Sequence, residues 1–567
     1  MRTVLSSGSR MNFETRNCQN CKQPFKIESE DFGFYEKMGV LPPVLCPDCR
    51  FKRRCLFRNE RALYSRKCEL CGKPMISVHN PKSPYVVYCH DCWNSDKWDP
   101  YSFGQDYDFK RPFFEQLGDL MKRVPKITTY LSSYQRTVNS EYSNFAGGKG
   151  GNKNCYLVFN TGDCEDSMYS RGLRECRGVV DSYYGNYLER CYETVNVQRS
   201  SGVIWSQNVN GSVDSAFLMN VSGCQNCFGC VNLRMKSHYF FNEPTSKDEY
   251  EKKTEEIMGS YSKTKEFAGK FREFSMKFPR RENNNLKAVD SSGDFIFESK
   301  NVQHGFEVSE SENCKYIFFI KTSKDSYDLT GFGYESELLL EDVAVGFSSR
   351  VIGSYQAENS HNMEYCFAIK NCEYCIGCDG LKNSKYTVLN KKYNEAEYKK
   401  IHEHIVKELK EKNLLGFFMP PEIAPFAYNE TIGQDEMPLK KEEALAQGFR
   451  WEDDIQITKG KETLKPERIP DHISDVPDSI VNEILACINC GRNYKIIRPE
   501  LDFYRRLIVP LPRICFDCRH LDRIKRRGPF KLFDRKCDKC GKLLKTNFAP
   551  NRPEVVYCEQ CYQAEVV

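Results

Sequence analysis

The sequence predicts a mainly β protein in which two copies of a cysteine-rich arm, one at each end, flank a repetitive β centre made of two halves. Three observations predict it: eight Cys-x-x-Cys pairs, four towards each terminus, a fixed register between the two sets of pairs, and short apolar runs between them separated by Asn, Asp, Ser and Gly. At 567 residues the chain exceeds what one hydrophobic core usually holds, so several modules are expected.

The arms come first in the argument because their spacing carries chemistry. The N-terminal pairs are Cys18/Cys21, Cys46/Cys49, Cys68/Cys71 and Cys89/Cys92; the C-terminal pairs are Cys487/Cys490, Cys515/Cys518, Cys537/Cys540 and Cys558/Cys561. Every member of the second set lies 469 residues after its counterpart, and at the same offset Tyr35 meets Tyr504, Pro43 meets Pro512, Arg50 meets Arg519 and Arg54 meets Arg523. Identical spacers across a whole arm point to one duplicated module. A Cys-x-x-Cys knuckle aims two sulfurs at one ion, and two knuckles complete a tetrahedron, which is the donor set of a structural zinc ribbon. With cysteine at every position no coordination site is left for water or substrate, so four structural Zn²⁺ per chain are expected. Gly72 and Gly541 follow their knuckles where a positive φ is often required, and Val86-Val87-Tyr88 and Val555-Val556-Tyr557 read as strands entering the last knuckles.

Spacing allows either sequential pairing of knuckles or a cross-braced arrangement. The register does separate ligands from bystanders: Cys55 aligns with Ile524, His79 with Phe548, His90 with Glu559 and His520 with Phe51, so these four are expected not to bind metal.

Between the two ribbons of each arm runs a basic linker, and such runs often contact phosphate. The residues expected to do so are Lys52, Arg53, Arg54 and Arg58 in the first arm and Arg519, Arg523, Lys525, Arg526 and Arg527 in the second. Residues 18–92 hold thirteen basic against eight acidic side chains and 487–561 eighteen against eight. Four thiolates on each Zn²⁺ subtract charge, leaving about +1 and +6. Since the whole chain is +5, the rest is acidic, and the arms could instead dock on their own centre.

The expected domains are 12–98, tandem zinc ribbons; 99–151, a linker; 152–277, a first β-repeat half with a helix; 288–412, a second half with a helix; 413–486, a connector with a short helix near 439–448; and 487–567, tandem zinc ribbons again. In the centre, pieces such as Cys155-Tyr-Leu-Val-Phe159 and Ala216-Phe-Leu-Met219 recur at irregular intervals with no exact repeat length. A β-solenoid is favoured over a sandwich, with its small Cys, Ser and Asn residues stacked in ladders. Cys224, Cys227, Cys230, Leu233, Asn242 and Glu249-Tyr250 recur 148 residues later as Cys372, Cys375, Cys378, Leu381, Asn390 and Glu397-Tyr398. Ser246 to Glu249 and Asn394 to Glu397 are capping-box starts for the two helices. The cysteine triplets lack the fourth thiolate of an iron–sulfur site and read as buried core, with an extra metal or redox role as the alternative. Gly147-Gly-Lys-Gly-Gly151 is not a phosphate loop, because Ser or Thr does not follow the lysine.

These residues resemble a family of multi-zinc-ribbon proteins common in candidate-phylum bacteria. The carriers are Arg58-Asn-Glu-Arg61, Leu63-Tyr-Ser-Arg66, Asn139-Ser-Glu-Tyr142, Gly229-Cys230, Gly377-Cys378 and Tyr428-Asn-Glu-Thr431. The resemblance covers essentially the whole chain and implies zinc-ribbon arms around a repetitive β centre, but no activity. Such proteins are sometimes labelled CoA-transferases of the CaiB/BaiF type, a label for which no residues here give support.

The function expected is a non-enzymatic zinc-binding scaffold that contacts RNA or other nucleic acid through its arms. The alternatives are a protein-interaction scaffold with an acidic β-solenoid face, and a hydrolase working along the solenoid groove with an acidic pair such as Asp163/Glu165. No metalloprotease helix, nucleophile elbow, dinucleotide fingerprint or phosphate loop is present. Lacking both an apolar run of membrane-spanning length and a secretory h-region in Met1–Arg10, the chain is expected in the cytoplasm.

Overall fold

The computed structural model describes residues 13–132, 134–147, 150–455 and 457–566. The N-terminal decapeptide read for a signal and Gly148-Lys149 of the glycine cluster lie outside the described residues.

The centre obeys a rule that alternation does not reveal. From Asn154 to Phe241 a residue with left-handed backbone recurs at every third position, and up to Met235, which exposed Lys236 follows, the residue after each one points inward. Cys155, Val158, Cys164, Leu173, Cys176, Val179, Leu188 and Cys191 form one buried row of this kind. Four such corners return the chain to its starting point, so each pass lies on the one 12 residues earlier: Tyr183 pairs in parallel with Val195, Val195 with Gln207 and Gln207 with Met219. After a first step of 15 residues, Val138 to Lys153, the strands therefore follow a 12-residue register rather than the irregular intervals expected.

Small polar residues tolerate the inside of this stack because the backbone satisfies them. The Ser200 hydroxyl accepts from the Ser212 amide and donates to the Gln198 carbonyl, and the Cys155 thiol lies 3.4 Å from the carbonyls of Lys153 and Cys164. A buried hydroxyl without such partners would cost about 1–3 kcal/mol.

A second stack spans residues 286–392 as one thirteen-stranded sheet, parallel except for its closing hairpin at Val388 and Lys391. It keeps the 12-residue register apart from an 11-residue first step, Leu286 to Phe297, and one 13-residue step, Ser323 to Ser336, which shifts the inward row by one position between Leu329 and Leu339. The two stacks lie side by side and run in opposite directions: Tyr184 of the first meets Phe297 near the start of the second, and Arg174 meets Tyr334 further along.

Helices close the far ends. Ser246 caps Lys247–Glu255 and Asn394 caps Glu395–Glu411 as their sequences predict, but the first helical run breaks at Gly259 (φ 80°) and resumes as Tyr261–Ser275. Phe267 of this helix packs on Gly229, where an added Cβ would come within 2.9 Å of the ring. At Gly377 an added Cβ would likewise come within 2.7 Å of the Phe113 ring. Phe113 belongs to a helix, Phe113–Arg123, inside the segment 99–151 that was expected to be a linker. Phe113, Leu117, Leu120 and Met121 form its buried stripe; with Pro112 at the N-cap it lacks the usual capping side chain, and the Glu408 carboxylate accepts from its first amide instead. The same segment carries the first pass of the stack, since Val138 already pairs with Lys153. The connector forms the expected short helix, Lys441–Ala446, among turns and 3-10 segments.

Candidate metal centres and the arm contacts

Each knuckle is built the same way. A short hairpin leads into the first Cys-x-x-Cys, and the residue after it takes a left-handed backbone so that its amide can reach back to the first cysteine's carbonyl. Lys22, Gly72, Gly491 and Gly541 hold this position with φ of 61°, 73°, 71° and 75°, and the return bonds are 2.8–2.9 Å. The second Cys-x-x-Cys opens a helix: Cys46 is the N-cap of Pro47–Cys55 and Cys515 that of Phe516–Arg527.

These elements bring the sixteen cysteines into four groups, Cys18/Cys21/Cys46/Cys49, Cys68/Cys71/Cys89/Cys92, Cys487/Cys490/Cys515/Cys518 and Cys537/Cys540/Cys558/Cys561, with all sulfurs of a group within 4.8 Å of one another. Neighbouring knuckles therefore pair sequentially, not by cross-bracing. Sulfur–sulfur separations of 3.6 Å (Cys21–Cys46), 3.7 Å (Cys490–Cys515) and 3.8 Å (Cys540–Cys558) match the edge of about 3.8 Å of a tetrahedron with Zn–S bonds near 2.3 Å. Backbone amides also point at the sulfurs, as Cys46 N does at Cys18 and Cys558 N at Cys537. The four groups can hold metal ions. Cys55, His79, His90 and His520 belong to none of them: three are buried in the protein, and His90 Nε2 lies 2.8 Å from the Thr129 carbonyl oxygen.

The cysteine triplets of the centre form no such group. Cys224, Cys227 and Cys230 occupy successive inward positions on successive sides of the first stack, as Cys372, Cys375 and Cys378 do in the second, and all are at most 2% exposed.

The basic linkers require a correction. Arg54, Arg58, Arg519, Arg523 and Arg527 are at most 4% exposed and face the chain's own carboxylates, so phosphate cannot reach them without undocking the arms. The second knuckle of the first site in each arm opens a helix that carries arginines four apart on one face: Arg50 and Arg54 on Pro47–Cys55, with Arg58 just beyond its end, and Arg519, Arg523 and Arg527 on Phe516–Arg527. On the second stack Arg50 pairs with Asp328 at 3.0 Å, and Arg54 donates to Asp328 at 3.1 Å and Glu341 at 2.8 Å. On the first stack Arg519 pairs with Asp181 at 2.8 Å, and Arg523 with Asp181 at 3.1 Å and Glu193 at 2.8 Å. The N-terminal arm thus grips the second half of the centre and the C-terminal arm the first half. Lys52, Arg53 and Arg526 are partly covered and bonded to Gln447, the Phe418 carbonyl and Glu193; Lys525 is exposed.

Where the arms and stacks converge, Arg58 and Arg171 both donate to Glu60 at 2.7 Å, and Arg527 donates to Glu436 at 2.6 Å and to the Tyr183 hydroxyl at 2.6 Å. Burial alone would raise the Glu60 carboxyl, but the Arg171 and Arg58 guanidiniums outweigh it and hold it down at about 2. Glu307 sits between Arg171 and Arg527 at 3.8 and 3.7 Å without a hydrogen bond, and there burial wins, pushing its carboxyl up to about 7. Arg61 of one arm reaches Asp517 of the other at 2.6 Å.

Sequence reading missed the acidic half of these contacts. Its signal was present: Asp181 and Asp328 lie 147 residues apart and Glu193 and Glu341 148 apart, close to the offset of the cysteine triplets. Of the suggested acidic pair, Glu165 is bound to Lys153 at 2.6 Å, and the Asp163 carboxylate accepts from the Gly150 amide.

No family model matches the chain, and no curated protein matches it in sequence. No helix among the described residues is long and apolar enough to cross a membrane.

Proposed function

We propose that the protein is a non-enzymatic zinc-binding scaffold: two β-solenoids held side by side by zinc-ribbon arms that arose from one duplicated module. The observation that carries this reading is the sharing of one helix by a metal knuckle and an arginine row, Cys46/Cys49 with Arg50 and Arg54, and Cys515/Cys518 with Arg519 and Arg523. Zinc supplies fixed tetrahedral geometry at the helix start, and the helix delivers guanidiniums to carboxylates on the stacks. The donor set favours zinc, since four cysteine sulfurs at tetrahedral spacing suit a soft-tolerant ion without open positions.

This reading gives the linkers an internal role in place of nucleic-acid contact and makes the scaffold's exposed faces the place for partners. The test is the metal content of the purified full chain, together with hydrogen exchange before and after chelation. Four zinc per chain, with chelation deprotecting Pro47–Cys55 and Phe516–Arg527, is the expected result. Two or fewer zinc, or unchanged protection without metal, would overturn the assignment.

A further inference from the structure

Along one side of the first stack, three asparagines at the same corner of successive passes form an amide ladder. Asn196 Nδ2 donates to Asn208 Oδ1 at 2.9 Å, and Asn208 Nδ2 donates to Asn220 Oδ1 at 3.0 Å. Such a ladder is polar along its length: one end keeps a spare acceptor and the other a spare donor. Turning every amide over would exchange the ends without removing the imbalance. The ladders Asn301 to Asn313 to Asp325 and Asn359 to Asn371 to Asn383 lie on the exposed surface, where their ends are open to solvent. Here the acceptor end is inside: Asn196 is 8% exposed, and its Oδ1 has no hydrogen-bond partner. The next asparagine in the row, Asn232, does not complete the ladder, because its amide is committed to the Pro279 carbonyl and the Tyr562 hydroxyl.

The ladder floors a groove of about 360 Å³ between the first stack, the start of the second, and the C-terminal helix Glu559–Val566. Its lining is dominated by amides, with Gln198, Asn210 and Ser222 adding polar side chains beside the ladder, and no Asp or Glu among the described residues lines it. Of the two arginines there, Arg281 is bound to Glu559 and Arg234 donates to the Leu233 carbonyl. On the opposite wall stands the half-buried ring of Phe297, one face of which stacks on Tyr184 at 6.1 Å.

We infer that this groove binds a short neutral oligosaccharide. Amides both donate and accept, as sugar hydroxyls do. With no carboxylate in the lining a cationic ligand finds no partner, Arg281 is already paired with Glu559, and an aromatic wall suits the apolar face of a pyranose ring. The volume lies near the lower end of the ~300–1,000 Å³ found for small-ligand sites, enough for a ligand of a few sugar rings. A sugar hydroxyl donating to Asn196 Oδ1 satisfies the acceptor left open at the buried end of this ladder.

The test is calorimetric titration of the full zinc-loaded chain with neutral gluco-, manno- and chito-oligosaccharides of two to four rings. At least one series binds, and both Phe297→Ala and Asn208→Asp weaken it by about tenfold or more, the first by removing the aromatic wall and the second by removing a donor from the ladder. Asp tolerates the left-handed backbone of Asn208 (φ 55°), and unchanged zinc content and circular dichroism show that each variant is folded. Absence of binding across all three series overturns the proposal, as does binding that folded Phe297→Ala and Asn208→Asp leave unchanged.

Discussion

Arg54 Nη1 lies 3.1 Å from Asp328 Oδ1, with neither side chain more than 1% exposed, and Arg523 stands 3.1 Å from Asp181 in the same relation at the other end of the molecule. Two arms far apart in the chain thus dock on the two halves of the centre by the same chemistry. A charge this deeply buried is tolerable only with its partner present.

Arg54→Ala removes the guanidinium that donates to both Asp328 and Glu341 and leaves Arg50 as the one remaining arm cation beside the two buried carboxylates. It is expected to destabilise the protein by about 3–5 kcal/mol in urea denaturation, with a similar loss for Arg523→Ala. Exposed Lys525→Ala serves as control and is expected to change stability by less than about 0.5 kcal/mol. Equal effects of Arg54→Ala and Lys525→Ala would show that the arm does not depend on the buried pair.

Cys49→Ala removes one of the four sulfurs of its group and is expected to lower the zinc content of the full chain by one equivalent, measured by elemental analysis. Cys55→Ala, although only six residues further on, is expected to leave zinc content unchanged, because Cys55 belongs to no group.

Lys22 holds a left-handed turn that glycine holds at the other three first knuckles. Lys22→Gly is expected to gain about 0.5–1 kcal/mol and to slow zinc loss from the first site to a colorimetric chelator, while Gly541→Ala costs about 1 kcal/mol and speeds loss from the last site. No change in either rate would mean that turn strain does not bear on metal retention.

Glu307 gives the arm junction a pH dependence. Its folded carboxyl titrates at about 7 against an ordinary value of 4.5, so the folded state holds the proton more tightly. The stability this contributes is complete below pH 4.5 and is lost as pH rises through about 7, by roughly 3 kcal/mol. Glu307→Gln, which stays neutral, is expected to flatten that part of the stability–pH profile measured by denaturation. Glu60, held at about 2, contributes in the opposite sense: its stabilisation is present above pH 4.5 and is lost as pH falls toward 2.

Much of the arms was legible because metal chemistry imposes fixed spacings. Cysteine identity, the identical spacers and the glycine after the knuckle are local constraints, and they located all sixteen sulfurs and the strands at Val87–Tyr88 and Val556–Tyr557. The helix starts at Ser246 and Asn394 were legible for the same reason, since a cap acts within four residues. The 12-residue pass was written in the sequence too, as a small or apolar residue at every third position from Cys155 onward. It escaped notice because a three-residue side with a left-handed corner has the period of neither an extended strand nor an α-helix.

What the sequence by itself determined was therefore the sixteen clustered sulfurs, the two-arm plan and the helix starts at Ser246 and Asn394, all fixed by short-range geometry. Only the tertiary structure decided that knuckles pair in sequence, that each arm reaches the distant half of the centre, and that its arginines face Asp181, Glu193, Asp328 and Glu341 instead of solvent. The physical reason is that a guanidinium's role depends on which carboxylate the fold places within about 3 Å of it, and that partner lies hundreds of residues away in the chain.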